Sequence, residues 1–266
     1  MKIVVILKQV PDTETKIKVK ADGSGIETDG IKYVINPYDE IAVEEGLRLK
    51  EKLADDSTVT IISVGPDRVI ESIRTALAMG ADDAVHVNDP ALEGGDSLAT
   101  GRVLTKVIKD HGFDIIFAGK QAVDLDQAQV PPAVAELLDI PHVNNVAKFE
   151  LAADKTKATV SRRIEGGDEV IDVTLPALLT CEKGLNEPRY ASLPGIMKAK
   201  KKPLKTVKLA ELGLEANQVG AAGSHVKILK WLPIPERSPG KILKGMETEA
   251  AVKELVRLLR EEAKVI

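Results

Sequence analysis

Three segments of the chain place small and polar residues where a ligand could meet the backbone. They are Lys8 to Thr13, Val64-Gly65-Pro66-Asp67 and Gly119-Lys120-Gln121-Ala122-Val123-Asp124. Each follows a short run rich in Val, Ile or Ala. A glycine just past a strand lets backbone approach a ligand closely, and free N–H groups at the start of the next helix attract phosphate. If the runs are parallel strands, the three loops converge at their carboxyl ends, where open α/β sheets bind ligands. The pattern predicts a nucleotide pocket, although the same glycines would also serve as plain strand-to-helix turns.

Other chemistry is poorly represented. Neither Gly-x-Gly-x-x-Gly nor Gly-x-x-x-x-Gly-Lys-Ser/Thr occurs, so the dinucleotide fingerprint and the Walker loop are both missing. Gly94-Gly95-Asp96-Ser97 is similar to the tail of the phosphate loop of ATP pyrophosphatases, but that loop should follow the first strand. A helix N-cap is the better reading of Asp96 or Ser97. His86, His111, His142 and His225 lack ligand spacing, which gives no metal site, and there is no nucleophile elbow or catalytic cysteine setting. With no catalytic residues in view, a carrier or binding role is favoured over an enzyme.

The elements that must position these loops follow from periodicity. Ile3 to Leu7, Val59 to Val64, Ala84 to Val87 and Ile115 to Ala118 read as strands buried on both faces. Helix-like runs alternate with them up to about residue 145, which predicts an open, mostly parallel α/β sheet with flanking helices. Asp39 stands ahead of the first helix as an N-cap acid, Pro66 at the start of the second with Gly80 as its stop, and Gly112 closes the third. Beyond 145, Lys157 to Ile164 and Glu169 to Leu175 flank Gly166-Gly167 and predict an appended β-hairpin. Lys183 to Pro203 reads as an exposed loop, Ala221 to Gly240 as irregular, and Glu247 to Ala263 as a helix with an apolar face. The organisation expected is an α/β domain over 1–220, with the loop 183–203, and a C-terminal arm over 221–266 packing on a partner.

A chain of 266 residues, 44% hydrophobic and 29% charged, can bury a sizeable core. Its formal net charge of -4 lacks the basic excess of a nucleic-acid binder. Cys181 is the only cysteine, ends an apolar run and reads as buried structure. No stretch reaches a bilayer-spanning length, and Met1 to Leu7 reads as a strand instead of a signal. The expectation is a bacterial cytoplasmic protein, or one whose targeting peptide is not in this sequence. The run Lys198, Lys200, Lys201 and Lys202 reads first as solvated surface.

Four segments together carry a more specific signal: 36–45 (NPYDEIAVEE), 73–82 (IRTALAMGAD), 119–122 (GKQA) and 185–200 (LNEPRYASLPGIMKAK). In that order they resemble the beta subunit of electron transfer flavoproteins over nearly the whole chain. The resemblance implies an adenine nucleotide alpha hydrolase-like fold. It also implies a heterodimer with an electron transfer flavoprotein alpha subunit that holds most of the FAD, while this chain holds a structural AMP. The pocket would be lined by Ile6, Asn36, Pro37, Tyr38, Asp39, Val64, Gly119, Lys120, Gln121, Ala122, Asp124, Gln127, Gln129 and Val130. Tyr38 would lie towards the flavin ring, or else simply pack beside its helix.

The segment Arg189 to Lys198 matches the family's recognition loop. The resemblance implies that Arg189, Tyr190, Leu193, Pro194, Ile196, Met197 and Lys198 meet a dehydrogenase, with Leu193 as the anchor. The basic run then becomes the rim of that surface. Implied partners are acyl-CoA or related dehydrogenases as donors and a membrane quinone oxidoreductase as acceptor. The ending Ala128-Gln129-Val130, with Gly94-Gly95-Asp96, is closer to the electron-bifurcating branch, whose beta subunit binds a second FAD in place of AMP and oxidises NADH. Arg163 stands where the respiratory branch has an acidic residue linked to flavin-domain docking. A lone nucleotide-binding α/β protein is the blander alternative.

Overall fold

The computed structural model describes residues 1–235 and 239–266. Part of the segment expected to be irregular, residues 236–238, therefore lies outside the described residues. The chain divides into two compact units, Met1–Ile17 with Glu27–Leu229, and Lys18–Ile26 with Lys230–Ile266.

The first unit is built on a nine-stranded sheet. In chain order the strands are β1 (Lys2–Ile6), β2 (Gln9–Pro11), β3 (Tyr33–Ile35), β4 (Thr58–Val64), β5 (Asp83–Val87), β6 (Ile115–Gly119), β7 (His142–Leu151), β8 (Lys157–Ile164), β9 (Gly167–Thr174), β10 (Ala177–Cys181) and β11 (Leu204–Val207). The order across the sheet is β11-β5-β4-β1-β6-β10-β7-β8-β9, while β2 and β3 pair separately. Strands from β11 to β7 run parallel, and β7, β8 and β9 continue as an antiparallel meander. The open parallel sheet and the hairpin are as the sequence predicts. The hairpin turn pairs Ile164 with Gly167.

Helices α1 (Pro37–Leu53), α2 (Val69–Met79), α3 (Ser97–His111) and α4 (Val130–Leu138) flank the sheet. They are followed by α5 (Leu193–Ala199) and the single turns α6 (Leu209–Leu212) and α7 (Gly220–Gly223). Alternation along β1 sends Ile3, Val5 and Leu7 to one core with α1 and α2, and Val4 and Ile6 to the other with α3 and α4. Gly46 lets α1 settle on the sheet, since a Cβ there would stand 3.2 Å from Val5 and 3.3 Å from Ile3.

Four expectations are corrected. Asp39 is not the N-cap of α1: Asn36 holds that position, and Asp39 lies buried in the first turn. Pro66 precedes α2 by a turn, its carbonyl accepting from the Val69 N–H at 3.0 Å. Lys183 to Pro203 is not all loop, because α5 forms within it. Lys8 to Thr13 contains β2, which pairs with β3. Asp96 does cap α3, accepting from the Ala99 N–H at 2.8 Å.

In the second unit Val19 bridges to Ile26, and the Trp231 N–H donates to the Gly23 carbonyl at 2.9 Å. Its helix α8 (Thr248–Glu261) exposes Val252, Leu255 and Val256, with Arg257 paired to Glu254 and Glu261. No helix is long and apolar enough to cross a membrane among the described residues.

Phe117 on β6 is fully buried and meets Phe149 of β7 edge-to-face, with centroids 5.4 Å apart. This contact ties the parallel part of the sheet to the meander. Phe117→Ala should cost about 3–5 kcal/mol, read as a fall in the urea unfolding midpoint at unchanged slope.

Candidate functional site

Strand β1 has β4 on one side and β6 on the other, so the chain winds away from it in both directions. The loops after these strands therefore part at a topological switch point, where such sheets bind ligands. Asp39 joins them. Its carboxylate accepts from the Lys8 N–H at 2.7 Å and from the Gly119 N–H at 2.9 Å, one to each oxygen. The approach is so close that a Cβ at position 119 would stand 2.3 Å from Asp39 Oδ1. Asn36 adds a second brace, its amide donating to the Gln121 carbonyl at 2.9 Å and its Oδ1 accepting from the Val123 N–H at 3.2 Å.

The predicted pocket residues fall into three places. Ile6, Val64 and Val130 lie in or against the core on the α3 and α4 side. Asn36, Pro37, Tyr38 and Asp39 open α1, with Gly119 and Gln121 directly against them. Ala122 begins the turn that follows, its carbonyl accepting from Asp126 N–H at 2.9 Å. Asp124, Gln127 and Gln129 are exposed on the loop running into α4. In that loop Asp126 and Ala128 adopt left-handed backbone, with φ of 51° and 52°. Gln121 holds Asp126 at 2.8 Å, and Ser97 donates to Gln127 at 2.8 Å. Among the described residues, the N–H groups of Gln127, Ala128 and Gln129 donate to no protein acceptor. Free backbone N–H groups in such a loop are donors an anion can use.

Lys120 departs from the others. Its ammonium leaves the cleft for Glu182 at 2.6 Å and lies 5.0 Å from the centroid of the Tyr38 ring. The β4 loop is held from outside, with the Gly65 carbonyl 2.8 Å from His86 Nε2.

The predicted partner-binding residues form a second, separate cluster around α5. Ser192 caps this helix by accepting from the Gly195 N–H at 3.1 Å. Gly195 and Ala199 turn inward: a Cβ on Gly195 would stand 2.4 Å from the Ala78 carbonyl, and Ala199 is buried. Arg74 donates to the carbonyls of Ala199 and Lys202 at 2.6 and 2.9 Å, pinning the end of the segment to α2. Leu193, Ile196 and Met197 consequently point outward, and Leu193 is 80% exposed and Tyr190 97%. Pro194 and Lys198 are also exposed.

Arg189 instead faces inward. It donates to the buried Glu44 carboxylate at 2.8 Å and to Glu51 at 2.5 Å, while Arg48 also reaches Glu44 at 2.9 Å. Asn186 donates to the Ile41 carbonyl at 3.0 Å and to Glu45 at 2.8 Å. Burial alone would raise the Glu44 pKa, but the hydrogen bonds from Arg189 and Arg48 outweigh it and hold the carboxyl below its usual range. These anchors were not legible beforehand, because nothing local in the sequence connects residue 44 with residue 189. The spacing Glu44, Arg48, Glu51 on one helix face was the only available sign.

Comparison with known proteins decides what carries this pair of sites. Residues 24–212 match the electron transfer flavoprotein domain. The chain is 45% identical to the electron transfer flavoprotein subunit beta of Bacillus subtilis, over 100% of both chains. The chain belongs to the electron transfer flavoprotein beta-subunit family. It is also 40% identical to the subunit of that name from Methylophilus methylotrophus, over 98% of each chain. Against the one from Mus musculus the figure is 42%, over 97% of this chain and 99% of the other. Within this beta subunit family member, α5 and the parts of the switch-point cleft that come from α1, β4 and β6 lie inside the matched region, while the end of β1 with Ile6 and Lys8 precedes it.

Burial, the largest influence on Asp39, pushes its carboxyl from the ordinary 3.8 up to about 7, against the N–H donors of Lys8 and Gly119 and the hydrogen bond with Asn36. The folded chain then holds this proton more tightly than the unfolded chain. Its contribution to stability is complete below about pH 4 and is lost as pH rises through about 7. Between about pH 5 and about pH 8, urea titrations should show wild type losing more stability than Asp39→Asn, whose side chain does not titrate. At the other cluster, Arg189→Ala should lower stability by about 1–3 kcal/mol, through the stranded Glu44 carboxylate. Amide exchange in α5 should quicken with it.

Proposed function

We propose that the chain, joined to an alpha subunit carrying FAD, accepts electrons from acyl-CoA or related dehydrogenases and passes them to a membrane quinone oxidoreductase. In this reading the chain transforms no substrate. It holds a structural AMP in the switch-point cleft and recognises the donor through α5. One observation carries the proposal: Leu193 and Met197 are held in water by a helix whose small residues face the protein, and Tyr190 is exposed just ahead of it. Keeping apolar side chains exposed on a pinned backbone has no benefit for folding. It suits a pocket on a partner, where burying a leucine contributes roughly 1.5–3 kcal/mol. Lys198, Lys200 and Lys201 beside it are exposed and would steer an acidic face.

The residues of the cleft fit AMP. Ile6 and Val64 offer apolar surface, Asn36 to Asp39 and Gly119 to Ala122 form its walls, and the N–H groups of Gln127 to Gln129 suit a phosphate. AMP would supply cohesion between the loops rather than electrons. Tyr38 and Lys120 are the residues of this chain that would meet the flavin, from the α1 side of the same sheet edge. The bond between Ser97 and Gln127 joins the residues that adjoin the two segments favouring the second reading, a bifurcating complex with FAD in this cleft.

Denaturing the purified heterodimer and quantifying the released nucleotides separates the two readings. One FAD and one AMP per heterodimer is the expected result; two FAD with NADH-dependent bleaching would replace it with the bifurcating reading. For the recognition surface, Leu193→Ala should slow reduction of the flavoprotein by its dehydrogenase about tenfold or more through a higher KM, with folding unchanged. Equal rates with every dehydrogenase would remove the role given to α5.

A further inference from the structure

The loops around the cleft carry three cations, Lys8, Lys120 and, just past the β4 turn, Arg68. Two are engaged elsewhere. Arg68 lies 3.8 Å over the Tyr33 ring and donates to Gln9 at 2.5 Å, and Lys120 pairs with Glu182. Lys8 is different, because its ammonium crosses the cleft from the end of β1 to the loop after β6. There it meets Asp124 at 2.8 Å and 2.7 Å, one distance to each carboxylate oxygen. The pair is part-exposed, with 43% of the Lys8 side chain and 23% of the Asp124 side chain accessible. Asp124 stands three residues before the unpaired N–H groups of Gln127 to Gln129. The other carboxylates nearby are committed, Asp39 to the Lys8 and Gly119 N–H groups and Asp126 to Gln121.

We infer that Lys8 is a phosphate-binding residue of this cleft, its ammonium shared between Asp124 and the phosphate of a bound nucleotide. This rests on the nucleotide reading given above. A phosphate monoester carries more negative charge than one carboxylate and offers three acceptor oxygens, so it competes with Asp124 for a partly hydrated ammonium. Charge-assisted hydrogen bonds to such a group are the strong ones. Without Lys8, a phosphate at this point would face the Asp124 carboxylate with only backbone N–H groups to balance it. The Lys8–Asp124 pair thereby gives the cleft a preference for phosphorylated over plain nucleosides, and Asp124 moderates how tightly they are held.

The test uses the heterodimer freed of endogenous nucleotide, with AMP as probe and adenosine, which lacks the phosphate, as the control, by titration calorimetry. Lys8→Gln should weaken AMP roughly tenfold or more, while adenosine changes by less than about twofold and Lys8→Arg restores most of the AMP affinity. Asp124→Asn should tighten AMP, because the competitor for the ammonium is neutralised. Equal weakening of AMP and adenosine by Lys8→Gln would make the pair a structural strap and overturn the inference, as would unchanged AMP affinity. Wild type that binds neither probe would instead overturn the nucleotide reading, and the role of Lys8 with it. Thermal melting of each variant separates lost binding from lost folding, and Lys8→Met, which keeps the aliphatic stem, replaces Lys8→Gln if the latter melts early.

Discussion

One buried carboxylate holds the edge of this sheet together. Among the described residues Asp39 has no cation in direct contact, and its two oxygens take the backbone N–H groups of Lys8 and Gly119. It thus joins the end of β1, the end of β6 and the first turn of α1, the three pieces that meet at the switch point. A neutral amide could accept from only one of those donors and would turn its own N–H groups on the other. Everything around the cleft inherits this constraint. Gly119 can have no side chain, Asn36 must reach over to Gln121 and Val123, and α1 must enter at the angle that sets Tyr38 beside Lys120.

That constraint also separates the two sites. The cleft is made of loop ends drawn together by hydrogen bonds to backbone, whereas the surface at α5 is made by a helix pinned at both ends. Arg189 on Glu44 and Glu51 fixes its entry, and Arg74 on the carbonyls of Ala199 and Lys202 fixes its exit. Helix α1 is common to both, carrying Asp39 at one end and Glu44 and Glu51 further along. The two sites are therefore linked through α1 and through the Lys120–Glu182 pair at the start of the segment that leads to α5.

Much of this was legible in the sequence. The Val and Ile runs of β1, β4 and β6 declare a sheet buried on both faces, and Gly80, Gly112 and Asp96 mark helix ends by their own conformational preferences. The loops after the strands mark a candidate ligand site by position. What periodicity could not reveal are partnerships across the fold. Asp39 looks like an N-cap because acids commonly stand there, yet tertiary donors from Lys8 and Gly119 claim it. α5 was hidden because a proline and a glycine fall within a segment of only seven residues, too short to show helical periodicity, and its formation depends on Ser192 as cap and Arg74 as brace. Lys8 and Asp124 are far apart in sequence, and only the switch-point topology brings them face to face.

The orientation of α5 has a further consequence. Its packing against α2 uses Gly195 and Ala199, and its outward residues contribute almost nothing to the core. Packing and surface chemistry are thereby written in different letters of the same short helix. Residues 193, 196 and 197 can drift without any penalty in the sheet beneath, while 195 and 199 stay frozen. A lineage could rework this surface by editing a few solvent-facing positions, leaving the switch-point cleft and the architecture untouched.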